Sequence, residues 1–150
     1  DHLFIRKEKG AEAGFACYQA DEEALDNQPI RRMSSVTKET LLRIDYERIK
    51  AKRLSNWAIL EDALAGTNKI QLPAASEFEC PMVYPYAVIN GQELRKRLIE
   101  NKVFVAKYWP NVILCEGFEF EVGLANNVMA LPIDQRYDEE DMERIVQTIK

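Results

Sequence analysis

Two short segments carry side chains whose types and spacing could bind a ligand. The first is Arg31-Arg32-Met33-Ser34, and the second is Lys107-Tyr108-Trp109-Pro110. A loop that presents a cation beside two aromatic rings can contact an anionic or planar ligand. The alternative is that Tyr108 and Trp109 close an edge of the core while Lys107 is solvated. The residue types alone leave both interpretations open.

Residues suited to nucleophilic or metal chemistry are scarce. His2 is the only histidine, so a small hydrolase of the Ser-His-Asp or Cys-His type would have to use it. Its place at a chain end favours a frayed terminal side chain instead. Cys17, Cys80 and Cys115 form no C-x-x-C pair, which indicates reduced thiols and neither a zinc site nor a disulfide frame. We therefore expect no metal site and no catalytic residue in this chain.

The charged runs are interpreted as solvated helix faces. Asp138 to Asp141 lack the spacing of cation ligands and suit the start of a helix, where the helix dipole favours negative charge. Arg95-Lys96-Arg97 lies on the outer face of a predicted amphipathic helix. No glycine-rich phosphate-binding motif occurs.

Length, composition and net charge indicate which classes of protein this chain can belong to. The chain has 150 residues, 47% hydrophobic and 30% charged, which is ordinary for one globular domain. The net charge of -5 argues against nucleic acid as a partner, since phosphate binding needs a clustered basic face. No apolar run approaches the roughly 20 residues that span a bilayer, so we expect no membrane partner. The odd number of scattered cysteines indicates reduced thiols and a cytoplasmic location.

The elements that would position the candidate segments begin with one long amphipathic helix from Thr37 to Ala65. Ser34, Ser35 or Thr37 could cap its start. At 1.5 Å per residue the helix would run roughly 40 Å, which is too long for so small a domain to cover. Its apolar residues recur at three- and four-residue steps: Leu42, Tyr46, Ile49, Trp57, Leu60 and Leu64.

Three strands and three further helices follow. The predicted strands are Cys80–Ile89, Val103–Ala106 and Val128–Leu131, and Pro81 and Pro85 indicate an edge strand. A helix from Gln92 would be capped by an Asn90–Glu93 capping box. The predicted buried positions of the three helices are Leu94, Leu98 and Ile99, then Phe118 and Val122 within 117–126, then Met142, Ile145, Val146 and Ile149.

Residues 1–33 have no sustained periodicity. Leu3 to Ile5 and Ala13 to Tyr18 could be short strands, and Asp21 to Leu25 one helical turn. We interpret 1–33 as an irregular segment whose packing partners lie elsewhere, and 34–150 as the folded domain. The predicted class is α+β, with a small and mainly antiparallel sheet and helices on one face.

From Arg32 onward the chain resembles the C-terminal small domain of the DegT-type sugar aminotransferases, a fold-type-I family that uses pyridoxal phosphate. The resemblance rests on the order and spacing of several segments together. They are Arg32-Met33-Ser34 before a helix, Tyr84 to Val88, the helix from Gln92, Val103 to Ala106 with its aromatic loop, and Leu131 to Tyr137 followed by Glu139 to Met142.

The resemblance implies that the chain is a part of a larger enzyme, with 34–150 as its small C-terminal domain and 1–33 as a segment from the side of the large domain. In such enzymes a lysine on a large N-terminal domain forms the Schiff base with pyridoxal phosphate, and that domain is not in this chain. The cofactor is therefore expected in the complete protein and not on this fragment, whose own cofactor-binding residues stay unassigned. The small domain of the family closes over the substrate and helps form a homodimer.

The resemblance also suggests site residues. Arg32 would contact a small-molecule substrate or a neighbouring subunit, and Lys107, Tyr108 and Trp109 would line the mouth of the cleft. Two positions depart from the family pattern: Ile30 stands where an asparagine is usual, and the loop from Lys107 to Asn111 lacks a histidine.

The function expected is therefore amino transfer from an amino acid to a carbonyl, such as that of a nucleotide-linked sugar, by the complete protein. The fragment alone would be inert. The alternative is a stand-alone interaction or dimerisation module without enzymatic activity, which the length of the predicted Thr37–Ala65 helix motivates.

Overall fold

The computed structural model describes residues 2–10, 12–26, 28–74, 80–114 and 116–150. It divides the chain into two compact units, Asp1–Ile44 and Asp45–Lys150, and each is described by itself. The division predicted after Met33 falls inside the first unit. That residues 1–33 come from the side of a larger domain stays a prediction.

The first unit begins with two helices, α1 (His2–Lys9) and α2 (Phe15–Glu23). The predicted strands at Leu3–Ile5 and Ala13–Tyr18 are wrong, because the first window lies in α1, and the second is a turn at Ala13 and Gly14 followed by the start of α2. Straight-chain residues such as those of α1 lose little rotamer freedom in a helix, and the apolar stretches are too short to impose an extended backbone.

The two helices meet at His2. Its Nδ1 lies 2.7 Å from Oδ2 of Asp21, and its ring packs edge-on against Tyr18 with centroids 5.6 Å apart. The hydrogen bond from His2 lowers the pKa of Asp21. The expectation of a frayed terminal histidine is therefore wrong.

Burial is almost absent from the first unit. Among its described residues only Gly14 is buried. Leu3, Phe4, Leu25 and Leu42 are each more than 60% exposed. The described part of this unit therefore has no hydrophobic core of its own.

The predicted Thr37–Ala65 helix is divided into α3 (Ser35–Leu42) and α4 (Tyr46–Leu64). Ser34 caps α3 by accepting from the N–H of Thr37 at 3.1 Å, as one of the predicted capping choices. The prediction of one continuous helix is wrong because Asp45 caps a second helix start. Its side chain accepts from the N–H of Arg48 at 3.0 Å, and its backbone leaves the helical region at φ -80° and ψ 86°.

The second unit is built on an antiparallel strand pair, β1 (Val83–Ala87) and β2 (Val128–Pro132). Tyr84 pairs with Leu131 and Tyr86 with Met129. The other elements are α5 (Gly91–Glu100), a 3-10 helix (Pro110–Leu114), α6 (Glu119–Asn127) and α7 (Glu139–Ile149). The predicted α+β class is confirmed.

One buried cluster joins the strands to α4, α5 and α7. It contains aliphatic, aromatic and methionine side chains that are at most 9% exposed. Its members are Leu60, Leu64, Tyr84, Tyr86, Leu94, Leu98, Val103, Val105, Met129, Leu131, Ile133, Met142 and Ile145.

The third predicted strand, Val103–Ala106, is wrong as a strand. In the described chain it contributes one isolated bridge, from Ala106 to Ala130. The guanidinium of Arg95 donates to the carbonyl of Val105 at 3.0 Å. A side chain therefore occupies the acceptor that a continued ladder would need.

The start of α5 also differs from prediction. Asn90 makes no side-chain cap, and the free N–H of Gly91 donates instead to Oδ1 of Asn127 at 3.1 Å. A Cβ on Gly91 would lie 2.4 Å from the carbonyl oxygen of Asn126, so glycine permits this close approach. The Asn90–Glu93 capping box is therefore wrong.

Some of the residues predicted to face the core are buried, and others are exposed. Leu94 and Leu98 are buried, but Ile99 is 42% exposed and Phe118, expected to point inward, is 53% exposed. In α7, Met142 and Ile145 are buried and the predicted stripe is confirmed. Asp138 and Asp141 form a capping box at its start, which is the role the acidic run suggested.

Asn56 ties α4 to the segment between β2 and α7. Its Nδ2 lies within hydrogen-bond distance of the carbonyl oxygens of Ile133, Asp134 and Tyr137, at 3.3, 3.2 and 3.1 Å. The side chain is fully buried, and its Oδ1 has no partner among the described residues. A buried amide with several acceptors fixes the spacing of the elements that it joins.

In the described ranges, no helix combines the length and the apolar composition that crossing a bilayer requires. Over the same ranges, no three histidine, cysteine or acidic side chains gather in a way that could hold a metal ion. Cys17 and Cys80 are exposed free thiols, and Cys115 lies outside the described residues.

Candidate functional site

The loop at residues 107–109 is held by contacts at its base. The Arg95 guanidinium donates to the Val105 carbonyl, and Ala106 bridges Ala130 of β2. Val105 itself belongs to the buried cluster. The loop therefore leaves the core from a fixed point, and the 3-10 helix at Pro110 begins directly after it.

The three candidate residues of this loop face outward to different degrees. Lys107 is exposed, Tyr108 is half-buried and Trp109 is 75% exposed. The rings of Tyr108 and Trp109 lie 5.7 Å apart with 52° between their planes. The interpretation that Trp109 closes the edge of the core is wrong, since most of its indole meets solvent.

Trp109 has a positive φ of 50°. This left-handed region is uncommon for a residue with a bulky side chain, and such outliers concentrate at binding and catalytic sites. The Trp109 carbonyl accepts from the N–H of Val112 at 3.1 Å, which ties the strained residue to the 3-10 helix.

Exposed apolar side chains continue beyond the loop. Leu114 is 83% exposed and Phe120 is 74% exposed, and the 3-10 helix that ends at Leu114 packs against α6. An indole face, a neighbouring lysine and further apolar groups can contact a ligand that is flat and negatively charged.

Arg32 lies in the first compact unit, and the loop lies in the second. The arginine is exposed and stands two residues before the Ser34 cap of α3. Its neighbour Ile30 is fully exposed. The structure brings Tyr108 and Trp109 into contact, and it places Arg32 at the entry to a helix as the sequence predicted.

Arg95 was missed as a positioning residue, since its run was interpreted as a solvated face. It is half-buried, and burial lowers the pKa of its guanidinium. Arg97, from the same run, donates to the carbonyl of Ile149 at 2.8 Å. The available signal was the position of Arg95 directly beside Leu94 in the buried stripe of α5, where a long side chain can reach over the core.

The second unit has two cavities whose residues can be checked for the groups that bind pyridoxal phosphate, a cation for its phosphate and a lysine for its Schiff base. A groove of about 590 Å³ lies between α4 and α7, and its described lining residues supply three carboxylates and no cation, which does not suit a phosphate. A smaller cavity of about 260 Å³ offers Arg97 and Tyr86 but no lysine for a Schiff base. The residues that line these two cavities do not fit the cofactor.

No family model and no curated protein matches this chain. A solved structure does: the sugar aminotransferase CalS13 from Micromonospora echinospora, with a TM-score of 0.57 and 21% sequence identity. The match covers 73% of this chain and 32% of that chain, so the chain corresponds to about a third of that protein. The resemblance suggested by the sequence is thereby confirmed as a shared fold.

Proposed function

We propose that this chain is the small domain of a pyridoxal-phosphate-dependent, DegT-type aminotransferase. The complete protein moves an amino group from an amino acid to a carbonyl, with a nucleotide-linked sugar as the preferred carbonyl substrate. The observation that supports this is the fold shared with part of a sugar aminotransferase over 73% of the chain.

In this proposal the 107–109 loop lines the mouth of a substrate cleft. Lys107 attracts the phosphates of a nucleotide-linked sugar, and the exposed face of Trp109 stacks on its base or sugar ring. Tyr108 supports the indole, and Arg95 holds the base of the loop. Arg32 contacts the substrate or a neighbouring subunit of a cytoplasmic homodimer.

The cofactor belongs to the part of the protein outside this chain. Pyridoxal phosphate, when bound, supplies the electron sink that amino transfer requires. Since the cavity residues described above do not fit it, the chain's own contribution is binding and orienting substrate and excluding water. We expect the fragment alone to be inert.

The test is a steady-state assay of the complete protein with glutamate as amino donor and a nucleotide-linked ketosugar as acceptor. Lys107→Gln and Trp109→Ala are each expected to lower kcat/KM by about tenfold, mainly through KM for the sugar, since each removes a substrate contact. Lys96→Gln removes an exposed lysine of α5 and is expected to leave kcat/KM unchanged.

Two results would contradict the proposal. One is a complete protein that neither develops the absorbance of an enzyme-bound pyridoxal aldimine nor transfers an amino group. The other is an encoded sequence that carries no cofactor domain before Asp1. The latter would favour the stand-alone interaction module. That alternative was motivated by one long helix from Thr37 to Ala65, which the structure shows as two helices.

A further inference from the structure

The groove between α4 and α7 is a surface that the proposed function does not use. One wall is a face of α4 and the other a face of α7, both in the second compact unit. It is lined by Ser55, Ala58, Ile59, Asp62, Ala63, Glu139, Glu143, Val146 and Gln147, and its volume is about 590 Å³.

The floor of this groove is apolar and continuous with the core. Ile59, Ala63 and Val146 are half-buried and pack against the buried cluster. On the same two helices Leu60 and Met142 are fully buried, which anchors both walls. Asn56 further fixes α4 to the segment that leads into α7. The groove is therefore a preformed feature of the fold.

The rim of the groove carries uncompensated negative charge. Asp62, Glu139 and Glu143 are exposed, and none of their carboxylates makes a hydrogen bond or ion pair with another described residue. Among the described residues that line the groove there is no lysine, arginine or histidine. A carboxylate rim repels nucleic acid and anionic lipid and attracts a cationic partner.

We propose that this groove binds an amphipathic helix of a partner protein, with a basic polar face. The α4 wall runs from Ser55 to Ala63, which is about 12 Å of helix and matches roughly two turns of a bound helix. Apolar anchors at i, i+4 and i+7 contact the floor, and flanking lysines or arginines contact the carboxylates. This interaction does not depend on the proposed aminotransferase activity.

The test uses a fluorescein-labelled peptide of about 14 residues with leucine at i, i+3, i+4 and i+7 and lysine elsewhere, long enough to form a helix when bound. Fluorescence anisotropy measures its binding to the chain of residues 1–150. We expect saturable binding that weakens with added salt, and loss of binding when serine replaces the leucines.

A matched pair of double variants locates the site. Asp62→Asn with Glu143→Gln is expected to raise Kd by roughly threefold to tenfold, since two charge contacts are lost. Glu119→Gln with Glu121→Gln removes the same charge from exposed positions on α6 and is expected to leave Kd unchanged. All substitutions are at exposed helix positions, and circular dichroism verifies the fold of each variant.

Hydrogen exchange supplies the independent measurement. Peptide binding is expected to slow exchange in α4 and α7 more than in α5 and α6. The proposal is overturned if no saturable binding occurs, if both double variants weaken binding equally, or if a glutamate version of the peptide binds as tightly. It is also overturned if sedimentation shows a dimer of this chain that the Asp62 and Glu143 substitutions alter, because the occupant is then a second copy.

Discussion

The two compact units of this chain use apolar residues in opposite ways. In the second unit a cluster around Leu60, Tyr84 and Leu131 is withdrawn from solvent, whereas in the described part of the first unit only Gly14 is buried. The first unit nevertheless contains Leu3, Phe4 and Leu42, all largely exposed. Helices of this size are marginal alone and depend on packing of an apolar face. The difference indicates that the helices of the first unit need a packing surface outside that unit.

The most direct test of this difference is to study the two units as separate fragments. We expect residues 45–150 to unfold in one cooperative thermal transition and resist proteolysis, because the whole core lies there. Residues 1–44 alone are expected to show weak helical circular dichroism without a cooperative transition. A cooperative transition in the 1–44 fragment would refute the distinction.

A paired leucine truncation measures the same contrast residue by residue. Leu60→Ala removes a fully buried side chain and is expected to lower the free energy of unfolding by about 2–5 kcal/mol. Leu42→Ala removes a side chain that is 77% exposed and is expected to change it by less than about 0.5 kcal/mol. Urea denaturation checks both, and equal losses would contradict the assignment of burial.

Tyr84 makes the unfolding free energy of the second unit depend on pH in the alkaline range. Burial, with a further contribution from the hydrogen bond to Glu61, raises its pKa from 10.0 to about 12. The folded state then keeps a proton that the unfolded state has lost. The stabilisation is therefore complete below pH 10 and is lost as pH rises towards about 12.

The expected loss is at most about 2 kcal/mol, smaller than the full shift would imply because the partner Glu61 is only half-buried. Denaturation of the unmodified chain and of Tyr84→Phe across this range checks it. The stability advantage of the unmodified chain over the variant is expected to shrink with pH. A constant difference would contradict the pKa shift.

The smallest effect expected concerns the helix caps. Asp138→Ala removes the capping box of α7, whose inner face is buried, and is expected to cost about 1 kcal/mol of unfolding free energy. Ser34→Ala removes the cap of α3, in the unit whose described residues form no core. It is expected to reduce helical circular dichroism while leaving the thermal midpoint of the chain unchanged. A shifted midpoint for Ser34→Ala would show that α3 contributes to the cooperative fold.

The sequence predicted best where local signals and burial agree. In α7 the acidic start and the stripe of Met142 and Ile145 both indicate the same helix, and the structure has it. It predicted worst where distant partners decide the outcome. The carbonyl of Val105 is taken by Arg95, and the N–H of Gly91 by Asn127, and neither partner lies beside its target in the chain.

The candidate site was predictable in its residue types but not in its conformation. The density of interacting side chains at Lys107, Tyr108 and Trp109 was visible in the sequence, and the outward position of Trp109 was one of two open interpretations. The division at Asp45 was missed because the apolar pattern continues at helical spacing across it. The cap at Asp45 interrupts the helical backbone but leaves the spacing of the apolar residues unchanged.

At Trp109 the backbone conformation that costs stability also presents the side chain that would contact a ligand. Glycine adopts φ 50° without the steric cost that a side chain brings, so Trp109→Gly would relax the turn. The same substitution would delete the exposed indole on which the proposed stacking depends. Selection for thermal stability alone would therefore favour glycine at this position, and the resulting protein would be more stable but would bind a flat ligand less well.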